Sequence, residues 1–287
     1  MTAVIVLAFA STLCFGTALV LTHLGLRHIP PLAGAAISIP SSALLFIALA
    51  PFAFQGPVVW PVVPIFVGAG LLYPAAVTLL TFAANRALGP VITGALGNLT
   101  PLFAVAFAVV LLAEPLHLMQ AGGMVVIVAG VLLFSLDRRN GGARWQSWSL
   151  LLPLAAAAVR GFVQPAVKIG LDLWPSPFAA TLIAYIVSAL AVITANRLQS
   201  GRFLPLAPRS ALYWFVALGI LNGLAVLFLY AALVSGPVAL VAPLVATYPL
   251  VTIVGTMMVQ GRIEGGARLA IGVALTVAGV VLLILGR

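Results

Sequence analysis

Apolar positions along this chain neither alternate nor recur at amphipathic spacing. They run nearly unbroken in stretches of roughly 18 to 24 residues, cut by short groups of Gly, Pro, Arg and other polar residues. Stretches of that length predict helices that cross a hydrocarbon layer about 30 Å thick, with each span satisfying its own backbone polar groups. The pattern predicts ten of them, at 3–24, 32–52, 62–84, 90–112, 119–136, 148–171, 177–196, 210–233, 238–260 and 267–285. The first starts almost at Met1, but it lacks a basic leader and its counterpart at 148–171 is internal, so it is expected to be a retained helix rather than a signal peptide.

The second five stretches repeat the first five. "ALGPVI", "LTPLFAVAFAVVLLAEP" and "AGGMVVIVAGVLL" return as "VSGPVA", "TYPLVTIVGTMMVQGRIEG" and "LAIGVALTVAGVVLL". Gly16 matches Gly161, Gly25 matches Gly170, Pro30 matches Pro175, and Gly89-Pro90 matches Gly236-Pro237. Pro101 pairs likewise with Pro249, Glu114 with Glu264, Gly123 with Gly272 and Gly130 with Gly279, at offsets that drift only from 145 to 150. Five is odd, so the second unit must enter the membrane upside down. The expected fold is an all-α membrane protein of ten transmembrane helices in two inverted five-helix repeats, residues 1–140 and 141–287, an arrangement suited to alternating access.

Composition agrees. With 64% hydrophobic and 6% charged residues, the chain has too little polar surface to cover a water-soluble globule of its length. The single cysteine, Cys14, gives no disulfide framework. The net charge of +9 reads as loops facing an anionic membrane surface rather than a nucleic-acid site. Ten arginines fall in the odd-numbered loops (27, 86, 138, 139, 144, 197, 202, 209, 262, 268), against Lys168 and Arg287 on the even side. The positive-inside rule then puts the odd loops in the cytoplasm and both termini outside. The longest polar stretch, "DRRNGGARWQS" at 137–147, is too short to fold alone. No Walker A pattern, dinucleotide fingerprint or metal-ligand spacing is present, so no ATP, cofactor or metal is expected.

Chemistry is sparse enough to inspect residue by residue. Arg160 lies near the middle of the sixth stretch, where an arginine costs roughly 2.5 to 3.5 kcal/mol to insert and so faces protein or a water-filled cavity. The four acids, Glu114, Asp137, Asp172 and Glu264, all fall at span ends or loops. Asp172 is twelve residues further along the same helix, about 18 Å away, too far to pair. Arg160 is therefore either an anion-recognition residue or a snorkelling side chain held by carbonyls and water. Gln164 follows it on the same helix face, and Pro165 frees a carbonyl one turn earlier. Gly16 and Gly161 admit either a close helix or a ligand. Lys168 has the i, i+4 spacing of an interfacial salt pair with Asp172.

His23, at the position matching Lys168, is a candidate proton carrier or an interfacial residue. Glu114 and Glu264 end the fourth and ninth stretches. Glu114 is expected to complement the start of the next helix, with a gate contact to loop arginines as the sharper alternative. Pro101 and Pro249, deep in those stretches, are expected to kink them and leave carbonyls unpaired. Asn98, Thr100, Thr247 and Tyr248 flank the kinks, and paired broken helices point to a midplane binding site. Tyr73, Asn222 and Tyr230 are further polar points in apolar surroundings, each also explicable as a packing contact.

The run "GPVITGALGNLTPLFAVAFAVVLLAEPLHLMQAGGMVVIVAGVLLF", with its weaker copy from Gly236 to Leu285, resembles the EamA-type drug/metabolite transporter superfamily. The likeness covers nearly the whole chain as two units, although the second loop, "FAFQGPVVWP", lacks the basic residues many relatives carry there. The resemblance implies a central cavity lined by the first, third, fourth, sixth, eighth and ninth spans. It also implies a non-enzymatic carrier in a bacterial inner membrane, with lipid and a small-molecule substrate as partners and no oligomer required. Many relatives are drawn with cytoplasmic termini, opposite to the charges here. The leading expectation is a secondary transporter of small zwitterionic or anionic metabolites, an amino acid exporter in its most concrete form. The alternatives are a phosphorylated-metabolite or nucleotide-sugar exchanger, which calls for more than one central cation, and a cation or drug efflux protein, which calls for a mid-membrane carboxylate.

Overall fold

The structure, a computed structural model, describes residues 2–25, 29–54, 56–88, 96–135, 147–260 and 266–286. Among these residues every regular element is a helix. The first two spans are α1 (Thr2–Gly25) and α2 (Pro31–Ala53). The third is divided into α3 (Val63–Gly70), a π-helical turn (Leu71–Ala76) and α4 (Val77–Leu88). Then come α5 (Thr100–Leu112), α6 (Leu118–Ser135), α7 (Leu151–Leu173), α8 (Pro177–Ser200) and α9 (Arg209–Ser235). The chain closes with α10 (Val238–Val245), α11 (Tyr248–Gln260) and α12 (Gly266–Leu285). Among the described residues, six helical segments are long and apolar enough to cross a membrane: Thr2–Thr22, Pro31–Ala53, Trp60–Thr81, Trp148–Leu173, Pro177–Ser200 and Arg209–Ser235. Shorter apolar helices make up the rest.

Proline and glycine set the helix boundaries. Pro31 and Pro177 occupy first turns, where a missing N–H is harmless. Ser176 caps α8 by accepting the Ala179 N–H, and Gly201 ends that helix with φ 72°. Two expectations about proline are corrected. Pro101 and Pro249 do not kink continuous helices, because each sits in the first turn of a new helix that starts after a break, at Asn98–Leu99 and at Ala246–Thr247. Nor is the carbonyl that Pro101 would free left unpaired, since the Thr100 hydroxyl donates to Gly97 O at 2.7 Å; at the other break the Thr247 hydroxyl donates to Leu244 O, also at 2.7 Å. Pro165, by contrast, lies within an unbroken α7. A break that the stretches did not foretell interrupts the third span at Tyr73, whose backbone is extended (φ −143°, ψ 125°) ahead of Pro74.

Without a hydrophobic drive between helices in lipid, close approach at small residues and interhelical hydrogen bonds supply the packing. Both occur in exchanged pairs. Gly123 of α6 lies against Gly279 and Leu283 of α12, while Gly130 lies against Gly272 and Thr276, so the two helices run antiparallel. Gly16 of α1 meets Val251 and the Tyr248 carbonyl of α11, and Gly161 of α7 meets Phe103 and Ala104 of α5. Gly70 of α3 abuts Ala184 of α8, and Gly219 of α9 abuts Ser38 of α2. At those same crossings the Ser42 hydroxyl donates to Gly219 O at 2.6 Å, and the Ser188 hydroxyl donates to Gly70 O. The Ser11 hydroxyl ties α1 to Ala225 O of α9 at 2.8 Å. Leu118, Val110, Leu198 and Met258 point outward, as lipid-facing side chains do.

Candidate functional site

A cavity of about 250 Å³ opens among these helices. Its walls come from α1, α2, the Tyr73 break, α4, the Asn98 turn, α7, α8, α9 and the broken α10–α11 span. The resemblance implied the first, third, fourth, sixth, eighth and ninth spans. The structure adds the second, through Ser38 and Ser42, and the seventh, through Tyr185. The lining reaches Thr22, Pro31 and Phe215, near the ends of α1, α2 and α9 that adjoin odd-numbered loops. At the opposite end Phe46 packs on Phe178 and Tyr185, and Trp174 packs on Phe54 and Phe66. The cavity thus extends toward the ends of α1, α2 and α9 that adjoin odd-numbered loops and is backed by aromatic rings in tilted and edge-to-face contact.

Arg160 lies in the cavity wall at mid-helix. Its guanidinium carbon is 5.6 Å from the centre of the Tyr73 ring, a cation–π contact made possible because the chain breaks at that tyrosine. Its Nε atom is buried and has no hydrogen-bond partner. Among the described residues no Asp or Glu lines the cavity. Gln164, one helical turn along, shares the wall, and its Oε1 is likewise buried and unpartnered. Tyr230 enters from α9 with its hydroxyl in the same condition. The two broken spans face each other here, and the Tyr248 hydroxyl donates to Asn98 Oδ1 at 3.3 Å. Asn222 and Thr100 also line the space, although the Thr100 hydroxyl is engaged with Gly97.

Of the residues singled out for binding, eight therefore share one cavity, and the ninth does not. Thr247 is 3% exposed, its hydroxyl is spent on Leu244 O, and it stays out of the lining because the turn at the break points it into protein. Tyr185 was not anticipated. A lone tyrosine in "LIAYIVSAL", with only Ser188 as a polar neighbour in that segment, is not distinguished from core by its sequence, and only the fold brings it to the cavity.

Gly16 and Gly161 serve close helix packing, since a Cβ at either would collide with the neighbouring helix. Lys168 pairs with Asp172 at 3.0 Å, with the carboxylate 52% exposed, and lies outside the cavity. Glu114 has a more definite structural job than expected, and with a different helix. Ala113 ends α5 with φ 50°, and the carboxylate then accepts the N–H groups of Val238 and Ala239 at 2.9 and 3.0 Å. It caps α10 of the second half, because the turn at Ala113 aims it away from α6. Glu264 and the side chain of His23 lie outside the described residues. Among the described residues no group of three or more His, Cys, Asp or Glu comes together as a metal set.

The structure superposes on a solved structure titled "Crystal structure of protein" with a TM-score of 0.79, covering 99% of this chain and 97% of that one at 23% identity, a likeness of fold. No curated protein matches the chain. Residues 2–136 match the EamA-like transporter family, whose members are carriers of small molecules. The chain is a multi-pass membrane protein, and its residues 2–136 are similar to the EamA-like transporters of the drug/metabolite transporter superfamily.

Proposed function

We propose that this protein is a secondary transporter of small metabolites that carry an anionic group, amino acids and other zwitterionic or anionic solutes among them, and that it works by alternating access of two inverted five-helix halves, residues 1–140 and 141–287. The observation that carries this reading is Arg160, a cation in the cavity wall with a buried unpartnered Nε and no carboxylate beside it among the described residues. A cation or drug carrier would want the opposite charge there. The exchanged contacts support the inverted arrangement: under the sequence equivalences Gly123 on Gly279 becomes Gly272 on Gly130, and the Ser42 contact with Gly219 has a counterpart, at offsets in the same range, in Ser188 on Gly70. Antiparallel pairing of α6 and α12 suits a two-fold axis in the membrane plane, whereas parallel halves would align them head to head. The cavity's extension toward the basic loops, under the positive-inside rule, suits a form facing the cytoplasm.

Counterflow in proteoliposomes, with labelled amino acids, phosphorylated sugars and organic cations, tests this reading. Arg160→Gln is expected to lower uptake of an anionic solute at limiting concentration by about tenfold or more, a loss of one charge-assisted hydrogen bond. Arg160→Lys should restore part of it, since it returns charge without the forked donor geometry. The Gln variant should still fold, because removing a costly intramembrane charge relieves the bundle. Equal transport by wild type and Arg160→Gln at equal membrane level would remove Arg160 from the site.

A further inference from the structure

Three buried polar atoms of the described residues have no hydrogen-bond partner: Arg160 Nε, Gln164 Oε1 and the Tyr230 hydroxyl. All three residues line the same cavity, with Gln164 7% and Tyr230 1% exposed. Buried polar groups in native proteins are almost always paired, so three orphans around one space describe the complement of something that enters it. Their chemistry differs. Arg160 Nε–H is a donor on a cation, Gln164 Oε1 accepts only, and the Tyr230 hydroxyl does either. Arg160 and Gln164 stand one turn apart on the same face of α7. The matching ligand has an anionic oxygen for Arg160 and, close to it, an N–H or O–H for Gln164.

Charge sets a second condition. Among the described residues, Arg160 is the only charged side chain in the lining. Glu114 is committed to the start of α10, and Asp172 to Lys168. A ligand ammonium placed at Gln164 would lie within a helical turn of the guanidinium, in a low-dielectric space, with only the ligand's own carboxylate, already shared with Arg160, and no protein carboxylate among the described residues to offset its desolvation and the repulsion. The Tyr73 ring face, which would suit a cation, already carries Arg160.

We infer that the cavity selects a net-anionic carboxylate bearing a neutral donor, such as a 2-hydroxy acid or an N-acylated amino acid, over the zwitterionic amino acid with the same side chain, and that Gln164 reads the donor. This rests on Arg160 being the anion-binding residue and narrows that reading by charge. A site built to pair a polar group discriminates against compounds that lack it far more strongly than an apolar pocket discriminates by size.

Ligand-induced shifts in Tm of the purified full-length protein test it, because a ligand that binds only the native state stabilises it by an amount that rises with the logarithm of its concentration over its Kd. The probes are 3-phenyllactate, phenylalanine, 3-phenylpropionate and phenethylamine, with the corresponding isopropyl series run alongside. In the wild type, the hydroxy acid should produce the same shift as the amino acid at about tenfold lower concentration, with the donorless acid weaker than the hydroxy acid and the amine inert. In Gln164→Leu, the hydroxy acid and the donorless acid should become equal. In Arg160→Gln, all carboxylates should weaken together, with the unliganded Tm reporting that each variant folds. An amino acid that matches or beats its hydroxy acid in the wild type, or a donor preference that survives Gln164→Leu, overturns this inference. The Arg160 reading stands in that case if Arg160→Gln still weakens every carboxylate. Shifts by the amines alone, carboxylate shifts unchanged in Arg160→Gln, or no shift by any carboxylate of either series would overturn both.

Discussion

Two carboxylates show how differently a single charge can be used here. Asp172 reaches Lys168 from a half-exposed position, where screening and side-chain entropy leave an ion pair worth about 0 to 1 kcal/mol. Glu114 instead holds two otherwise orphaned N–H groups at the start of α10, where dipole and hydrogen bonds act together. Removing it should cost about 1 to 2 kcal/mol. Glu114→Ala is therefore expected to lower Tm in detergent by several degrees, Glu114→Gln by less, and Lys168→Met hardly at all. Comparable losses for the Glu114 and Lys168 variants would show that the cap does not stabilise the bundle. The sequence identified Glu114 as a helix-start carboxylate but named the wrong helix, because the left-handed turn at Ala113 leaves no mark in the residue types. The depth of Arg160 was legible for the opposite reason: an arginine amid apolar residues has few places to go.

At the level of helices, small residues matter by position rather than by number. Gly122 and Gly123 are adjacent, yet a Cβ at Gly122 meets nothing within 4 Å, whereas one at Gly123 runs into the backbone of Gly279 and Leu283. Gly123→Leu should therefore abolish the folded, monodisperse peak in fluorescence-detected size exclusion, while Gly122→Leu should leave it intact. Equal tolerance at both sites would mean that α6 and α12 do not meet at this face. The helical stretches themselves could be read from hydropathy to within a few residues. Their interruptions were harder to place: a proline marks a discontinuity nearby, but whether it bends a helix or begins one depends on the turn before it. Asn98–Leu99 and Ala246–Thr247 made that choice for Pro101 and Pro249. At Tyr73 the break falls just before Pro74, inside an otherwise apolar stretch whose hydropathy does not change there.

For the molecule as a whole, the ten-to-two distribution of loop cations predicts, by the positive-inside rule, that both termini lie outside. A C-terminal alkaline phosphatase fusion should be active and a green fluorescent fusion dark, and the reverse result would place the cavity's basic end outside the cell. A different consequence follows from the crosswise helix contacts. α1 packs along α9 and α11, α2 along α8 and α9, and α6 along α12, so the most extensive neighbours of the early helices belong to the late ones. The Ser11 hydroxyl finds its acceptor 214 residues downstream. During synthesis, the first five helices therefore enter the bilayer with hydroxyls and glycine faces whose partners have not yet been translated. Contacts of such long sequence separation form late and slowly. The early helices are left waiting in lipid as a loose set, and the cavity cannot take shape until the ninth span has arrived.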